Sequence, residues 1–316
     1  MRSAAGPPPH KLTSPHARKL LTSNPVVPRV IATWRIAGRV IVLDRPLVVG
    51  VLNVTPDSFS DGGRFAAVDA AVAHAESMVA EGADIIDIGG ESTRPQGARQ
   101  VELNDELWRV MPVLRELRRA LPETPISVDT TKAEVAAAAL DEGAQIVNDV
   151  SGFRLDPHMG EVCVAKRAGV VLMHSRGDVA DMATYRVASY DDVVDEVLRE
   201  LRGRVDAARD AGVDEECIVV DPGIGFSKRS EHSLAVLAAL PRLVAWGYPV
   251  LVGASRKRFV GEITGVTEPV GRVHGTTGAN VAALERGAMI FRVHDVRAAR
   301  QALDVAWAIK QAERPD

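Results

Sequence analysis

Asn53, Asp87, Asp129, Asn148, His174, Asp221, the triplet Ser255-Arg256-Lys257 and Arg292 share one peculiarity: each stands directly behind a short run of apolar, mostly Val, Ile and Leu residues. The mixture suits a flat polar ligand, because Asp and Asn accept from ring N–H and amino groups while Asn, Lys and Arg donate to carbonyl or phosphate oxygens. Burying one polar group without a partner costs roughly 2–7 kcal/mol, so eight such positions gathered together point to a bound polar molecule rather than to packing. Any single one could instead cap a helix or bond a loop backbone. Eight together speak for an enzyme.

The runs that must position these side chains are Val48 to Leu52, Ile85-Ile86, Ile126 to Val128, Ile146-Val147, Val170 to Met173, Ile218 to Val220, Val250 to Ala254 and Met289 to Phe291. Unbroken apolar runs mark strands buried on both faces, as in a parallel sheet covered by helices. Between them apolar residues recur at three- and four-residue spacing, as in Val193-Val194-Val197-Leu198-Leu201-Val205, which reads as an amphipathic helix. Eight strand-helix units in about 270 residues predict an α/β chain folded as a (β/α)8 TIM barrel, with every βα loop opening at one mouth. Ahead of the first run, Thr33-Trp34-Arg35-Ile36 and Val40-Ile41-Val42-Leu43 flank Ala37-Gly38-Arg39. That pattern predicts an N-terminal β-hairpin closing the barrel floor.

With 316 residues and 46% apolar content the chain can bury one large core. We divide it into a Pro-rich extension, 1–33, and a single barrel domain, 34–316. Pro7, Pro8, Pro9, Pro15, Pro25 and Pro28 forbid regular structure in the extension, and no acidic residue precedes Asp44. A basic, acid-poor leader suits an organellar transit segment, but without a sustained Arg-rich amphipathic helix we read it as a disordered tail. The net charge of −4 and pI near 6.1, with no basic cluster interleaved with aromatics, argue against nucleic acid as a partner. No apolar run approaches the roughly 18 residues that cross a bilayer, so no membrane partner is expected. Cys163 and Cys217 fall outside any metal-ligand spacing and read as small buried hydrophobes in a reducing compartment, the cytoplasm.

Longer words in the sequence sharpen the chemistry. Gly50-Val51-Leu52-Asn53-Val54-Thr55-Pro56-Asp57-Ser58-Phe59-Ser60-Asp61-Gly62-Gly63 and Asp87-Ile88-Gly89-Gly90-Glu91-Ser92-Thr93-Arg94-Pro95 resemble the two signatures of the dihydropteroate synthase family. The resemblance continues in the family's order through Asp129-Thr130, Asn148-Asp149, Asp221-Pro222-Gly223-Ile224-Gly225-Phe226, Ser255-Arg256-Lys257 and Arg292-Val293-His294-Asp295. It spans roughly residues 34 to 310. It implies pterin-binding enzymes that join 6-hydroxymethyl-7,8-dihydropterin diphosphate to 4-aminobenzoate, releasing 7,8-dihydropteroate and pyrophosphate. Mg²⁺ and a homodimer come with that implication.

By resemblance, Asp129, Asn148, Met173, Asp221, Phe226, Lys257 and Arg292 hold the pterin, and Asp129, Asp221 and Lys257 are its catalytic members. Asn53, Arg94, Arg292 and His294 receive the diphosphate, with Asn53 also meeting the Mg²⁺ ion as a neutral oxygen donor. The first two βα loops are rich in Gly, Pro and Ser and read as lids over the aminobenzoate, which Phe59, Asp61, Thr93, Pro95, Lys257 and Arg258 contact. Asp57 reads as a turn residue. The expected reaction breaks the C–O bond to diphosphate first, since the pterin ring delocalises the charge and the acids stabilise it.

The sequence departs from the family pattern in places. Gln96 lengthens the second loop, where sulfonamides also meet the family. His174-Ser175-Arg176-Gly177 stands where His-Met-Gln-Gly is common, Ser227-Lys228 where Gly-Lys is frequent, and Arg258 where a small residue often follows the lysine. Two other readings remain: a pterin-binding paralogue without catalysis, and a corrinoid-dependent methyltetrahydrofolate transferase. Arg94, Lys257 and the Arg292-x-His294 pair disfavour the second. Neither the loop residues nor the lysine is lost, as the first would require.

Overall fold

A computed structural model describes residues 33–54, 63–91 and 101–313. Phe59, Asp61, Thr93, Arg94 and Pro95, and with them the expected lid contacts and Gln96, lie outside the described residues. Ala32–Asp316 form one compact unit.

A hairpin comes first, β1 (Thr33–Ile36) paired antiparallel with β2 (Arg39–Val42). Ala37 and Gly38 both hold positive φ in its turn, the combination that lets a two-residue loop follow the strand twist. Eight parallel strands follow: β3 (Leu47–Asn53), β4 (Ile85–Gly89), β5 (Ile126–Asp129), β6 (Ile146–Asp149), β7 (Gly169–Met173), β8 (Ile218–Asp221), β9 (Leu251–Val252) and β10 (Ile290–Val293). Helices alternate with them: α1 (Gly63–Ala80), α2 (Leu103–Ala120), α3 (Ala133–Asp141), α4 (Met159–Lys166), α5 (Val179–Met182), α6 (Val193–Asp210), α7 (Ser230–Ala238), α8 (Leu240–Val244), α9 (Arg258–Thr264), α10 (Val273–Glu285) and α11 (Val296–Ala312).

Strands β3 to β8 pair in chain order, and β10 lies between β3 and β9. A parallel bridge between Val220 and Val250 joins β8 to β9 and closes the barrel. Helix α6 shows how the sequence makes the outer layer. The Asp192 side chain accepts from Asp195 N–H at its start, and Val197, Leu201, Val205 and Ala208 bury one face against the strands.

Period-two alternation places the site. Ile85, Ile146, Val171, Val219 and Ile290 point into the barrel and join Trp34 and Ile36 of the hairpin in one apolar floor. Two residues further along the same strands stand Asp87, Asn148, Met173, Asp221 and Arg292, which therefore share that inward face one layer higher. The hairpin is fixed in the floor by Trp34 Nε1, which donates to the Cys217 carbonyl at 2.8 Å. Gly169 makes room for it, since a Cβ there would lie 2.4 Å from Ile36.

Several strand limits differ from the sequence reading. Strand β4 runs past Asp87 to Gly89, and β6 includes Asp149. Both acids are partnered, Asp87 by Asn148 Nδ2 and Asp149 by the Ser151 N–H. The run from Val250 to Ala254 yields only the two-residue β9, because the chain turns early to bring Ser255 to Lys257 over the rim. Cys217 sits in a short 3₁₀ turn just before β8, and both cysteines are buried and free.

Candidate active site

Four inward residues of β4, β5, β6 and β10 form one lattice. Arg292 donates through Nε to Asp87 Oδ2 at 2.6 Å and through Nη2 to Asp129 Oδ2 at 2.7 Å. Asn148 Nδ2 donates to the same Asp87 oxygen at 3.1 Å. Burial pushes the Asp129 carboxyl up to about 7, while the Arg292 guanidinium pulls it back. Asp87 Oδ1 is buried without a partner among the described residues. The lattice thus offers acceptor oxygens and an amide on a base held by the barrel strands.

Strand β8 supplies the next acid. Asp221 Oδ1 accepts from Gly223 N–H at 2.7 Å, so the turn following the strand fixes its carboxylate. Burial raises it to about 6 against the pull of that N–H and of Lys257. Met173 and Phe226 pack together in a small buried cluster beside it. Above the Phe226 ring, at 3.7 Å from its centroid, lies Lys257 Nζ, the N-cap residue of α9. Burial and then Arg292 hold this ammonium down to about 8, while Asp221 and Asp129 favour its charge. Aromatic and sulfur surfaces, an acid and a cation thus lie together at this end of the barrel.

Two more rim residues are tied to one another. Ser255 Oγ lies 3.0 Å from His294 Nδ1 and accepts the His294 backbone N–H at 3.1 Å. The hydroxyl proton then serves Nδ1, leaving Nε2 as the N–H side. Burial, then Arg292, lowers His294 to about 3, so the imidazole is neutral in the unliganded site. Arg256 forms a bidentate pair with Asp295 at 2.9 and 2.6 Å, joining the turn after β9 to the turn after β10.

Arg258 stacks its guanidinium over Tyr185 at 4.2 Å, at the edge of the same mouth. Asn53 is half-buried at the end of β3. Sequence reasoning left Asp87 and Ser255 without a role. The sign for Asp87 was its two-residue offset from the floor residue Ile85; Ser255 carried no comparable sign, because its partner lies on another strand.

The family described as "Pterin binding enzyme" matches residues 49–294, which places this barrel and its polar rim among the pterin-binding enzymes. The dihydropteroate synthase of Mycobacterium leprae is 50% identical over 266 residues, covering 83% of this chain and 92% of that protein. The dihydropteroate synthase structure from Xanthomonas albilineans with 4-aminobenzoic acid is 47% identical with a TM-score of 0.81, covering 90% of this chain and 99% of that one. Its complex with 7,8-dihydropteroate aligns at 45% identity and a TM-score of 0.78, covering 90% of this chain and 100% of that one. The chain belongs to the dihydropteroate synthase family.

Proposed function

We propose that this chain is a dihydropteroate synthase, a transferase of folate biosynthesis that joins 6-hydroxymethyl-7,8-dihydropterin diphosphate to 4-aminobenzoate and releases pyrophosphate. The observation that carries the reading is the meeting of Asp87, Asp129, Asn148, Asp221, Lys257 and Arg292 around one mouth. Relatives similar over nine-tenths of the chain bind the aminobenzoate and the dihydropteroate.

In this reading the Asp221 carboxylate accepts from the pterin amino edge, Asn148 pairs with the ring, and Lys257 donates to the ring carbonyl or a ring nitrogen. The C–O bond to diphosphate breaks and the pterin takes the positive charge, which Asp129 and Asp221 stabilise at close range in a site of low dielectric. The arylamine nitrogen then bonds to the exposed methylene and loses a proton. His294 and one edge of Arg292 donate to the departing diphosphate, with Arg94 as a third donor by resemblance. Phe59, Asp61, Thr93, Pro95 and Arg258 are assigned to the aminobenzoate on the same ground.

Among the described residues no three carboxylate, histidine or cysteine side chains gather as a metal cage. Asn53 offers a single neutral oxygen, which fits Mg²⁺ arriving with the diphosphate and keeping most of its waters. Asn53 and the diphosphate oxygens would hold the ion, which would neutralise charge on the leaving group. A homodimer accompanies this reading. Its support is an apolar groove of about 390 Å³ between α7, α9 and α10, edged by the exposed Leu234 and Ile263. No described helix is long and apolar enough to cross a membrane, and the two free thiols favour the cytoplasm.

The purified chain, given the dihydropterin diphosphate, labelled 4-aminobenzoate and Mg²⁺, is expected to form labelled dihydropteroate and to sediment at twice its monomer mass. Absence of product would leave a pterin-binding paralogue.

The acid and the lysine also set a pH profile. Pterin recognition needs Asp221 ionised, which requires a pH above about 6, and Lys257 protonated, which requires a pH below about 8. The value of kcat/KM for the dihydropterin diphosphate should therefore rise through the first limit and fall through the second. A profile that stays level from pH 5 to 9 would remove these two groups from ligand recognition.

A further inference from the structure

Lys228 is only 1% exposed, and among the described residues no carboxylate comes within ion-pair distance of its Nζ. Burying an ammonium in this way is costly, and desolvation pulls it down to about 7. All three of its hydrogens are nevertheless used. They go to His174 Nδ1 at 2.8 Å, the Gly223 carbonyl at 3.0 Å and the Phe226 carbonyl at 3.1 Å. Those carbonyls bracket the turn whose Gly223 N–H holds Asp221 and whose far end carries the Phe226 ring beneath Lys257.

His174 braces the lysine in turn. The ionised Glu200 carboxylate can only accept, so His174 Nε2 carries the proton that goes to it, 3.0 Å away, and Nδ1 accepts from Lys228. Burial keeps this imidazole neutral, in agreement with that tautomer. Glu200 lies on α6 and also accepts from Arg176 Nε at 3.0 Å. A continuous line of donors and acceptors therefore runs from the outer helix to the back of the turn.

We infer that Lys228 is a positioning residue of the pterin site: its ammonium, braced by His174 and Glu200, sets the turn that aims Asp221 and Phe226 at the ligand. Lys228 touches no substrate in this role, and the inference rests on the function proposed above.

The test compares three variants of the full chain. Lys228→Met keeps the stem and deletes the donors. His174→Asn places an amide oxygen where Nδ1 accepts, whereas His174→Leu removes the acceptor. Binding of 6-hydroxymethylpterin by calorimetry is measured with kcat and both KM values.

Lys228→Met should weaken pterin binding and raise KM for the dihydropterin diphosphate about 10- to 100-fold, the range for losing charged hydrogen bonds, with KM for aminobenzoate unchanged. His174→Leu should move the same way by a smaller factor, and His174→Asn, which keeps the acceptor but loses the hydrogen bond to Glu200, by a smaller factor still. If Lys228→Met does not fold, the two His174 variants decide, and equal pterin affinity in both overturns the inference. So does a folded Lys228→Met that binds pterin like the parent, or one in which both KM values shift alike. A parent chain that binds no pterin sinks the function itself and this inference with it.

Discussion

Lys257→Met is expected to lower kcat/KM for the dihydropterin diphosphate by about 10²- to 10³-fold, the loss typical of one preorganised donor, without lowering the melting temperature. Lys257 Nζ stands over the Phe226 ring, and Asp221 and Asp129 act on its charge. A methionine fills the same stem volume and keeps the contact with the ring, so only the donor and the charge are lost. Burial and the Arg292 cation oppose protonation of Lys257, so its removal takes strain out of the unliganded site. Steady-state kinetics beside a thermal melt separate the two roles. A drop of several degrees in the melting temperature with unchanged kcat/KM would make Lys257 a structural residue.

Gly223→Ala should lower the melting temperature by roughly 4–20 °C. Gly223 holds φ at +69°, and a Cβ on it would lie 1.9 Å from the His174 carbonyl oxygen. That oxygen belongs to the backbone, and the His174 N–H is itself bonded to the Asp221 carbonyl at 2.9 Å, so neither side can withdraw. Left-handed strain of about 1–2 kcal/mol adds to an overpacking cost of at least 1–3 kcal/mol. For a barrel of this size each kcal/mol moves the midpoint by roughly 2–4 °C. Gly247→Ala is the control: φ is +86° there, but nothing lies within 4 Å of the added carbon. It should show the strain without the clash. Equal losses in the two variants would mean that the turn after β8 yields more easily than its packing implies.

Much of the site was legible because strands write their burial into the sequence. The apolar runs gave the eight strands, and the polar residues behind them include Asp129, Asn148, Asp221 and Arg292, which the barrel brings together. The hairpin showed in its β-branched strands and in Ala37-Gly38. Less legible were residues whose purpose is another residue. Asp87 lies inside β4, where alternation gives it the same inward face as Ile85, yet nothing local says that Arg292 will neutralise it. Lys228 reads like any lysine after a turn, and only the folded chain surrounds it with acceptors.

The sequence alone determined the class of fold, the strand faces and the family, because hydrophobic period and residue type act over a few neighbouring positions. Tertiary structure alone decided the partnerships. Arg292 meets Asp87 across a separation of 205 residues and Asp129 across 163. His294 finds Ser255 across 39, and Lys228 finds His174 across 54. These pairs exist because the barrel closes and brings distant strand ends to one rim, where desolvation makes each charge depend on whichever opposite charge the closure has set beside it.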